Sequence, residues 1–220
     1  MFDYEGIQFH WLGHDGFRIV GNNNKKTIYI DPFQIQKAQQ NKNDADILLI
    51  SHNHFDHLSM EDLKHVISPN TTIVAARECI EQLKGIRVKE LKDVRPGDKL
   101  EIEDIPIEIV PAYNTNKKFH PKDDEKVGFI FTINNQRIYH TGDTDIIPEM
   151  KSVNVDIALV PVSGTYVMTS DEAAQAVNDL IKPRKLVLPM HYGSIVGTEN
   201  DAERFRELVK VCETKILDRE

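Results

Sequence analysis

The run His52-Asn53-His54-Phe55-Asp56-His57 decides our interpretation of the fold, since four of its six side chains can ligate a metal ion. It starts two residues after the continuous apolar run 47–50, which predicts a strand covered on both faces. His52 and His54 share strand parity, so both can point the same way and hold one ion together. Asp56 and His57 then predict a second ion beside the first. A solvated loop explains one or two histidines, but explains poorly four ligands immediately after a buried strand.

Two later segments place a ligand-type residue next to a glycine, just after a predicted strand. In Thr141-Gly142-Asp143-Thr144, the glycine lets the backbone turn tightly, so Asp143 is a candidate bridging carboxylate. In Pro189-Met190-His191-Tyr192-Gly193, His191 is a further candidate metal ligand. Taken singly, each signal is weak, because aspartate is common in turns and a lone histidine is often structural.

Composition and charge limit the classes of function. The 220 residues, 40% hydrophobic and 28% charged, predict a single globular domain over residues 1–220. The formal net charge of -8 opposes nucleic-acid binding and favours a small-molecule substrate. No apolar stretch is long enough to span a bilayer, and the acidic N-terminus lacks a secretory signal, so we expect a cytoplasmic protein without membrane association. A homo-oligomer is compatible with the sequence.

Strands dominate the predicted secondary structure. A capping box over residues 59–62 predicts a short helix directly after the histidine run. The whole pattern is typical of sheet layers covered by helices on their outer faces. The predicted strands lie at 7–12, 17–20, 27–30, 47–50, 72–75, 99–110 with a turn at 103–104, 127–133, 136–140, 156–161, 185–188 and 215–217. A turn is predicted at 21–24, and helices from 169 or 170 to near 183 and from about 201 to 212.

Together, the H-x-H-x-D-H run, the T-G-D-T segment and the P-M-H-Y-G segment resemble the metallo-β-lactamase superfamily of hydrolases. The resemblance is closest to the branch that contains L-ascorbate-6-phosphate lactonase and many metal-dependent hydrolases. It covers nearly the whole chain, from the segments 11–14 (WLGH) and 29–32 (YIDP) to His191. It implies an α+β fold, a four-layer αββα sandwich of the metallo-β-lactamase type, with a dinuclear site at one edge between two sheets.

The resemblance also implies a role for each candidate. Asp31 matches the first acidic position of the superfamily, which orients ligands by hydrogen bonding, although a plain turn aspartate before Pro32 is the alternative. The ligand positions are matched by His52 and His54 for one ion, by Asp56, His57 and His191 for the other, and by Asp143 for the bridge.

The chain departs from the superfamily at the third histidine of the first ion, because Asn114 stands where that histidine is expected. His120, six residues further on, either folds back to complete the ligand set or belongs to a surface loop. Asn114 is a weaker oxygen donor, and if neither residue binds, the site holds one ion in practice. His14, in a glycine-flanked turn, either lines the site or is structural. Tyr166 and Tyr192 are candidate substrate-side residues.

The expected reaction is hydrolysis by a metal-bound hydroxide, with Asp56 or Asp143 as the catalytic residue that handles its proton. By resemblance, the substrate is a small ester or lactone, with or without a phosphate group. The alternatives are a phosphodiesterase or nuclease of the same superfamily, and a metal-binding sensor or scaffold without catalysis. Two divalent ions are expected, with zinc or manganese favoured and iron also compatible with these ligands.

Overall fold

The first half of the chain forms a seven-stranded mixed sheet in the computed structural model, which describes residues 1–23 and 25–220. Strands that are adjacent in sequence are adjacent in space, and three antiparallel pairs are followed by three parallel pairs. Asn24, in the turn predicted at 21–24, lies outside the described residues. The strands are β1 (Phe2–Tyr4), β2 (Ile7–Gly13), β3 (Gly16–Gly21), β4 (Thr27–Ile30), β5 (Ile47–Ile50), β6 (Thr72–Ala76) and β7 (Glu90–Val94).

The second half of the chain repeats this pairing pattern in a second sheet. Its neighbours in space are again neighbours in sequence, and three antiparallel pairs again precede three parallel pairs. The sequence itself shows no internal repeat. The strands are β8 (Lys99–Ile102), β9 (Ile105–Pro111), β10 (Val127–Ile133), β11 (Gln136–His140), β12 (Ile157–Pro161), β13 (Leu186–Met190) and β14 (Glu213–Thr214).

The helices are short, and several of them are capped by side chains. Ser59 caps the first, because its hydroxyl accepts a hydrogen bond from the Asp62 amide, and Thr169 caps the third in a capping box with Glu172. The third and fourth helices pack on each other and on β12 and β13. The helices are α1 (Met60–Val66), α2 (Ile80–Leu83), α3 (Ser170–Gln175), which continues as a π-helix over Ala176–Ile181, and α4 (Glu199–Leu208).

The end of the chain differs from the prediction. The last helix ends at Leu208 and not at 212, because the Asn178 side chain donates to the Leu208 carbonyl and accepts from the Lys210 amide. The predicted strand at 215–217 is wrong. The strand is instead 213–214, and beyond it the chain crosses to the first sheet, where the Glu220 amide donates to the carbonyl of Trp11. The strands 2–4 and 90–94 and the helix 80–83 were not predicted.

The carboxyl ends of parallel strands carry the predicted ligands. Asp31 directly follows β4 and His52 lies two residues past β5, while Asp143 lies three residues past β11 and His191 directly follows β13. Since parallel neighbours end at the same edge, each sheet gathers its candidate ligands at one edge. Both sheets contribute residues to a common hydrophobic core. The predicted α+β sandwich is confirmed.

Candidate metal centre

The Asp143 carboxylate lies at the meeting point of four imidazole rings. Its Oδ2 atom is 3.3 Å from Nε2 of His191, 3.6 Å from Nε2 of His120 and 4.0 Å from Nε2 of His52. Its Oδ1 atom is 3.5 Å from Nε2 of His57. All five side chains are buried, and loops of both halves of the chain supply them. Sequence positions far apart are therefore brought to one point.

Gly142 allows this approach. Its φ of +64° is a left-handed conformation that favours glycine, and a Cβ atom there would lie 2.7 Å from the Val127 carbonyl oxygen. The tight turn after β11 therefore needs glycine to bring Asp143 over the strand end.

A first group of three histidines lies on one side of Asp143. Nδ1 of His54 is 3.0 Å from Nε2 of His52 and 3.1 Å from Nε2 of His120, so three ring nitrogens face a common point. His120 has a relative exposure of only 2%. It is thus part of the cluster and not a surface-loop histidine.

Asn114 holds the His120 loop in place. Its side-chain amide donates to the carbonyls of Phe119, at 2.9 Å, and Tyr166, at 2.6 Å, and its backbone amide donates to the His120 carbonyl at 2.7 Å. These contacts come from the side-chain nitrogen, while Oδ1 is buried and has no hydrogen-bond partner among the described residues. Asn114 therefore positions His120, and its expected role as an oxygen donor stays a prediction.

The histidine run itself is a turn and not the continuation of a strand. The amides of His57 and Leu58 both donate to the His54 carbonyl, at 3.0 and 2.8 Å. Strand parity was therefore the wrong reason for expecting His52 and His54 on one side. The turn directs both toward the centre, and it also returns His57 to it.

A second group comprises His14, Asp56, His57 and His191, whose ligand atoms all lie within 4.8 Å of one another. Nε2 of His14 donates to Oδ2 of Asp56 at 3.1 Å. The ring of His14 also lies 4.0 Å, centroid to centroid, from that of His191. His14, which the sequence left open, therefore lies inside the centre.

Most rings are fixed through the nitrogen that faces away from Asp143. Nδ1 of His57 donates to Oδ2 of Asp31 at 2.9 Å, and Nδ1 of His52 donates to the Ser51 hydroxyl at 2.9 Å. That hydroxyl donates in turn to Asp31. Nδ1 of His191 lies 2.9 Å from the Ser163 hydroxyl, and Nδ1 of His120 lies 3.3 Å from the Tyr166 carbonyl oxygen. The contacts of His52, His57 and His120 place a proton on Nδ1, so in the neutral rings the Nε2 lone pair faces Asp143. The Ser163 hydroxyl can donate to or accept from His191.

Electrostatics favour the protonation states that metal ligands need. Burial lowers the pKa of His14 and of His120 to about 4, and that of His52 well below its ordinary value. Burial raises the pKa of Asp56, but the hydrogen bond from His14 and the charge of His57 outweigh it and bring the pKa to about 2. Neutral imidazoles and ionised carboxylates result, which are the forms that bind metal.

His57 is the exception among the rings. Burial lowers its pKa, but the charge of Asp143 and the hydrogen bond to Asp31 outweigh burial and raise the pKa to about 10. For Asp143, burial raises the pKa, while His191 and His57 hold it well below its usual range. Without a cation, a protonated imidazole supplies the positive charge that these carboxylates require.

Unpartnered buried atoms test whether metal ions fit. Among the described residues, Oδ1 of Asp143, Nε2 of His57 and both carboxylate oxygens of Asp15 are buried without a hydrogen-bond partner. Buried polar atoms are rarely left unsatisfied, and imidazole nitrogens and carboxylate oxygens are the donors that zinc, manganese and iron bind. The donor set therefore fits divalent cations.

Comparison with known proteins agrees with this geometry. A family model described as the beta-lactamase superfamily domain matches residues 8–191, which include every candidate ligand. The chain belongs to the metallo-β-lactamase superfamily. The resemblance to the ascorbate-6-phosphate lactonase branch in particular stays a prediction.

Individual relatives of this metallo-β-lactamase domain match over nearly its full length. The UPF0173 metal-dependent hydrolase of Thermoplasma acidophilum is 32% identical over 97% of this chain and 95% of its own. A solved structure from Parabacteroides distasonis is 30% identical, with a TM-score of 0.80, and covers 97% of this chain and 94% of that one. A Thermotoga maritima protein of the metallo-beta-lactamase superfamily has a TM-score of 0.61 and covers 96% and 100%. At 21% identity, it shows the fold alone.

An open cavity of about 440 Å³ leads from the surface to the metallo-β-lactamase centre. Tyr166 lines this cavity, as the sequence suggested, but Tyr192 does not. His191 has a φ of +60°, and the ring of Tyr192 after it stacks on Trp11 with centroids 4.7 Å apart. The cavity is lined by Asn53, His54, Phe55, Asp56, Phe119, His120, Asp143, Tyr166 and Ile195.

Sequence reasoning missed three residues of the centre. Ser51 and Ser163 anchor histidine rings, and Asp15 adds a buried carboxylate. Two of them had a usable signal, because Ser51 directly precedes the histidine run and Ser163 follows the end of β12. Asp15 had none beyond its place next to His14.

The sequence predicts a protein without membrane association. Among the described residues, none of the helices combines the length and the apolar character needed to cross a bilayer.

Proposed function

We propose that this chain is a metal-dependent hydrolase that cleaves a small, uncharged ester or lactone. The observation that carries the proposal is the convergence of four Nε2 atoms on the Asp143 carboxylate at the inner end of an open cavity. Such a centre combines ligands for two ions with a path for a substrate, as expected for a hydrolytic site. The chain also belongs to a family whose relative is named a metal-dependent hydrolase.

The residues present would hold two divalent ions. His52, His54 and His120 form the first set, Asp56, His57 and His191 the second, and Asp143 lies between them. Such ions acidify water toward a pKa of about 7 and polarise a carbonyl or phosphoryl oxygen. Zinc and manganese both suit these ligands.

The protein residues orient the reaction and move one proton. Asp56 is the more accessible carboxylate of the cavity, since its side chain is 16% exposed against 3% for Asp143. The water oxygen bonds to the substrate carbonyl carbon while its proton passes to Asp56. The same proton then reaches the leaving alcohol oxygen as the ester C–O bond breaks. His14 holds Asp56 in position for both transfers.

The cavity wall supports an uncharged substrate with an apolar substituent. Four of its lining side chains, Phe55, Phe119, Tyr166 and Ile195, are large hydrophobic residues with relative exposures of 43–69%. No lysine or arginine is among the described lining residues, although phosphate recognition commonly uses such cations. An ester or lactone without a phosphate group is therefore favoured over a phosphorylated one.

The third histidine bears on the non-catalytic alternative. A metal-binding sensor was considered because Asn114 replaces the expected ligand, but His120 lies within 3.1 Å of His54 in the same cluster. Three histidines at the first position support catalysis, and they remove the reason for considering a non-catalytic sensor.

Turnover with a defined metal content tests the proposal. The substrates are alkyl-substituted lactones and nitrophenyl esters of short and long acyl chains, set against bis(p-nitrophenyl) phosphate. We expect turnover of the esters or lactones, faster with longer chains, and loss of turnover in Asp143→Asn. Preferential cleavage of the phosphodiester would establish the rival activity. An inactive protein with both ions bound would establish a sensor or scaffold.

A further inference from the structure

The Asp15 side chain is a buried carboxyl group near the centre that no hydrogen-bond donor of the described residues contacts. Its side chain is fully buried, and neither oxygen has a hydrogen-bond partner among the described residues. Asp31, by contrast, accepts from the Ser51 amide at 2.8 Å and from His57, and Asp56 accepts from His14. An unpaired buried carboxylate is costly, so in its ionised form Asp15 needs a cation as its partner.

The backbone around Asp15 is fixed, so its side chain has little freedom to turn away. The preceding carbonyl, that of His14, accepts from Nε1 of Trp11 at 2.9 Å and from the His191 amide at 3.0 Å. The Asp15 carbonyl accepts from Nε2 of His140 at 3.0 Å. Three separate segments of both sheets thus hold this turn, and they direct the carboxylate inward.

The position of the carboxylate matches that of a metal ligand. One oxygen of Asp15 lies within 4.8 Å of ligand atoms of His57, Asp143 and His191, and these atoms lie equally close to one another. Its Oδ2 atom is 3.9 Å from Nδ1 of His57, too far for a hydrogen bond. Asp15 and Asp143 are therefore two buried carboxyl groups that lie next to each other.

We propose that Asp15 is an additional carboxylate ligand of the cation held by Asp56, His57, His191 and Asp143. This inference rests on the metal centre of the proposed function. It makes the second position rich in oxygen donors, whereas the first is built from His52, His54 and His120. Carboxylate oxygens suit manganese and three imidazoles suit zinc, so the second position should prefer Mn²⁺ and the first Zn²⁺.

Manganese binding to Asp15→Asn tests this proposal, because asparagine keeps the size of the side chain and removes the charge. We expect Mn²⁺ affinity, measured by calorimetric titration of the metal-free protein, to fall at least about tenfold. Zinc bound at the first position should remain, as elemental analysis would show. The rise in Tm that Mn²⁺ causes should shrink, since a ligand that binds more weakly stabilises the folded state less.

A matched control separates ligation from a structural role. Asp156 is also a buried carboxylate, but the Arg137 amide and Arg184 satisfy it far from the centre. Asp156→Asn should lower the Tm of the metal-free and the Mn²⁺-loaded protein alike and leave Mn²⁺ affinity unchanged. Asp15→Asn should leave the Tm of the metal-free protein equal or higher, because an amide next to Asp143 can donate to that carboxylate and carries no charge.

Several outcomes would overturn the proposal. Unchanged Mn²⁺ affinity in Asp15→Asn would show that a proton, and not a cation, satisfies the carboxylate. An equal loss of Tm in both forms would show a structural role. If the parent protein bound neither Mn²⁺ nor Zn²⁺, the proposed function itself would fail, which is a different result from a failure of Asp15 alone.

Discussion

Nε2 of His120 lies 3.1 Å from Nδ1 of His54, although 66 residues separate the two in the chain. The pair joins the loop after β5 to the loop between β9 and β10. Its geometry depends on Asn114, whose side-chain amide donates to the carbonyls of Phe119 and Tyr166. Affinity for a first ion should therefore depend on the position that Asn114 gives to His120.

Asn114→Ala should weaken zinc binding at the first position. The substitution removes the hydrogen bonds to Phe119 and Tyr166, so the His120 loop loses its fixed position. Loss of such supporting contacts typically lowers metal affinity by about 10–100-fold. Competition with a chelator of known affinity measures the change. His65→Ala serves as the control, because the His65 ring hydrogen-bonds to Asn41 outside the centre and its loss should leave zinc affinity unaltered.

Asp31→Asn should reduce hydrolysis by about 10–100-fold with little change in folding. The carboxylate receives the Nδ1 hydrogen of His57 and the Ser51 hydroxyl, and an amide can replace only part of this pattern. Steady-state kinetics at saturating metal measures the effect. Asp44→Asn is the matched control, since Asp44 bonds to Arg18 and Tyr29 in the same sheet. Equal losses in both variants would contradict a specific role of Asp31.

Phe55→Ala should raise KM for long-chain esters and leave KM for short-chain esters nearly unchanged. Phe55 is 69% exposed at the cavity mouth, where an acyl chain could bury its surface. Each methylene removed from water contributes about 0.8 kcal/mol, so losing contact with two of them raises KM roughly tenfold. Kinetics across a series of chain lengths measures the difference. Val211→Ala, at an exposed apolar residue outside the cavity, should change neither value.

Asp156 should contribute stability that disappears in acid. Burial raises its pKa, but the hydrogen bonds from Arg184 and the Arg137 amide outweigh burial and lower the pKa below its ordinary value. A lowered pKa means that the folded state binds the proton less tightly than the unfolded state. The stabilisation is therefore present above the unfolded pKa, near 4, and is lost as the pH falls through the folded value.

Urea unfolding at several pH values measures this contribution. Asp156→Asn should lower the free energy of unfolding by about 1–2 kcal/mol at pH 7, and the difference from the parent should shrink in acid. Asp171→Asn removes an exposed ion pair with Arg204 and should have little effect at any pH. If the free energies of unfolding of Asp156→Asn and the parent differed by the same amount at every pH, the lowered pKa of Asp156 would be contradicted.

Most of the centre could be predicted from sequence because ligands at strand ends leave a local signature. The apolar run 47–50 marks a strand, and the residues after it are then expected at the sheet edge. The same logic places Asp143 and His191 correctly at the ends of β11 and β13. What these residues bind was suggested by their chemical type and by the resemblance to the metallo-β-lactamase superfamily.

The errors occurred where a distant contact outweighs local preference. Apolar spacing extends the last helix to 212, yet the side chain of Asn178 ends it at Leu208, 30 residues away. The position of His120 was equally open, since nothing within its loop reveals the contact with Asn114. Asp15 could not be assigned, because a buried carboxylate is recognised only from the groups that surround it in space.

Because the chain forms two sheets, a bound metal ion would also link its two halves. The loops of the first sheet contribute His52, His54, Asp56 and His57, and those of the second contribute His120, Asp143 and His191. Neither half could complete an ion's surroundings alone, so an ion bound across both would crosslink them. Removal of the ions by a chelator should therefore weaken the association between the two halves of the chain. Metal content would then also indicate whether the two halves have packed together correctly.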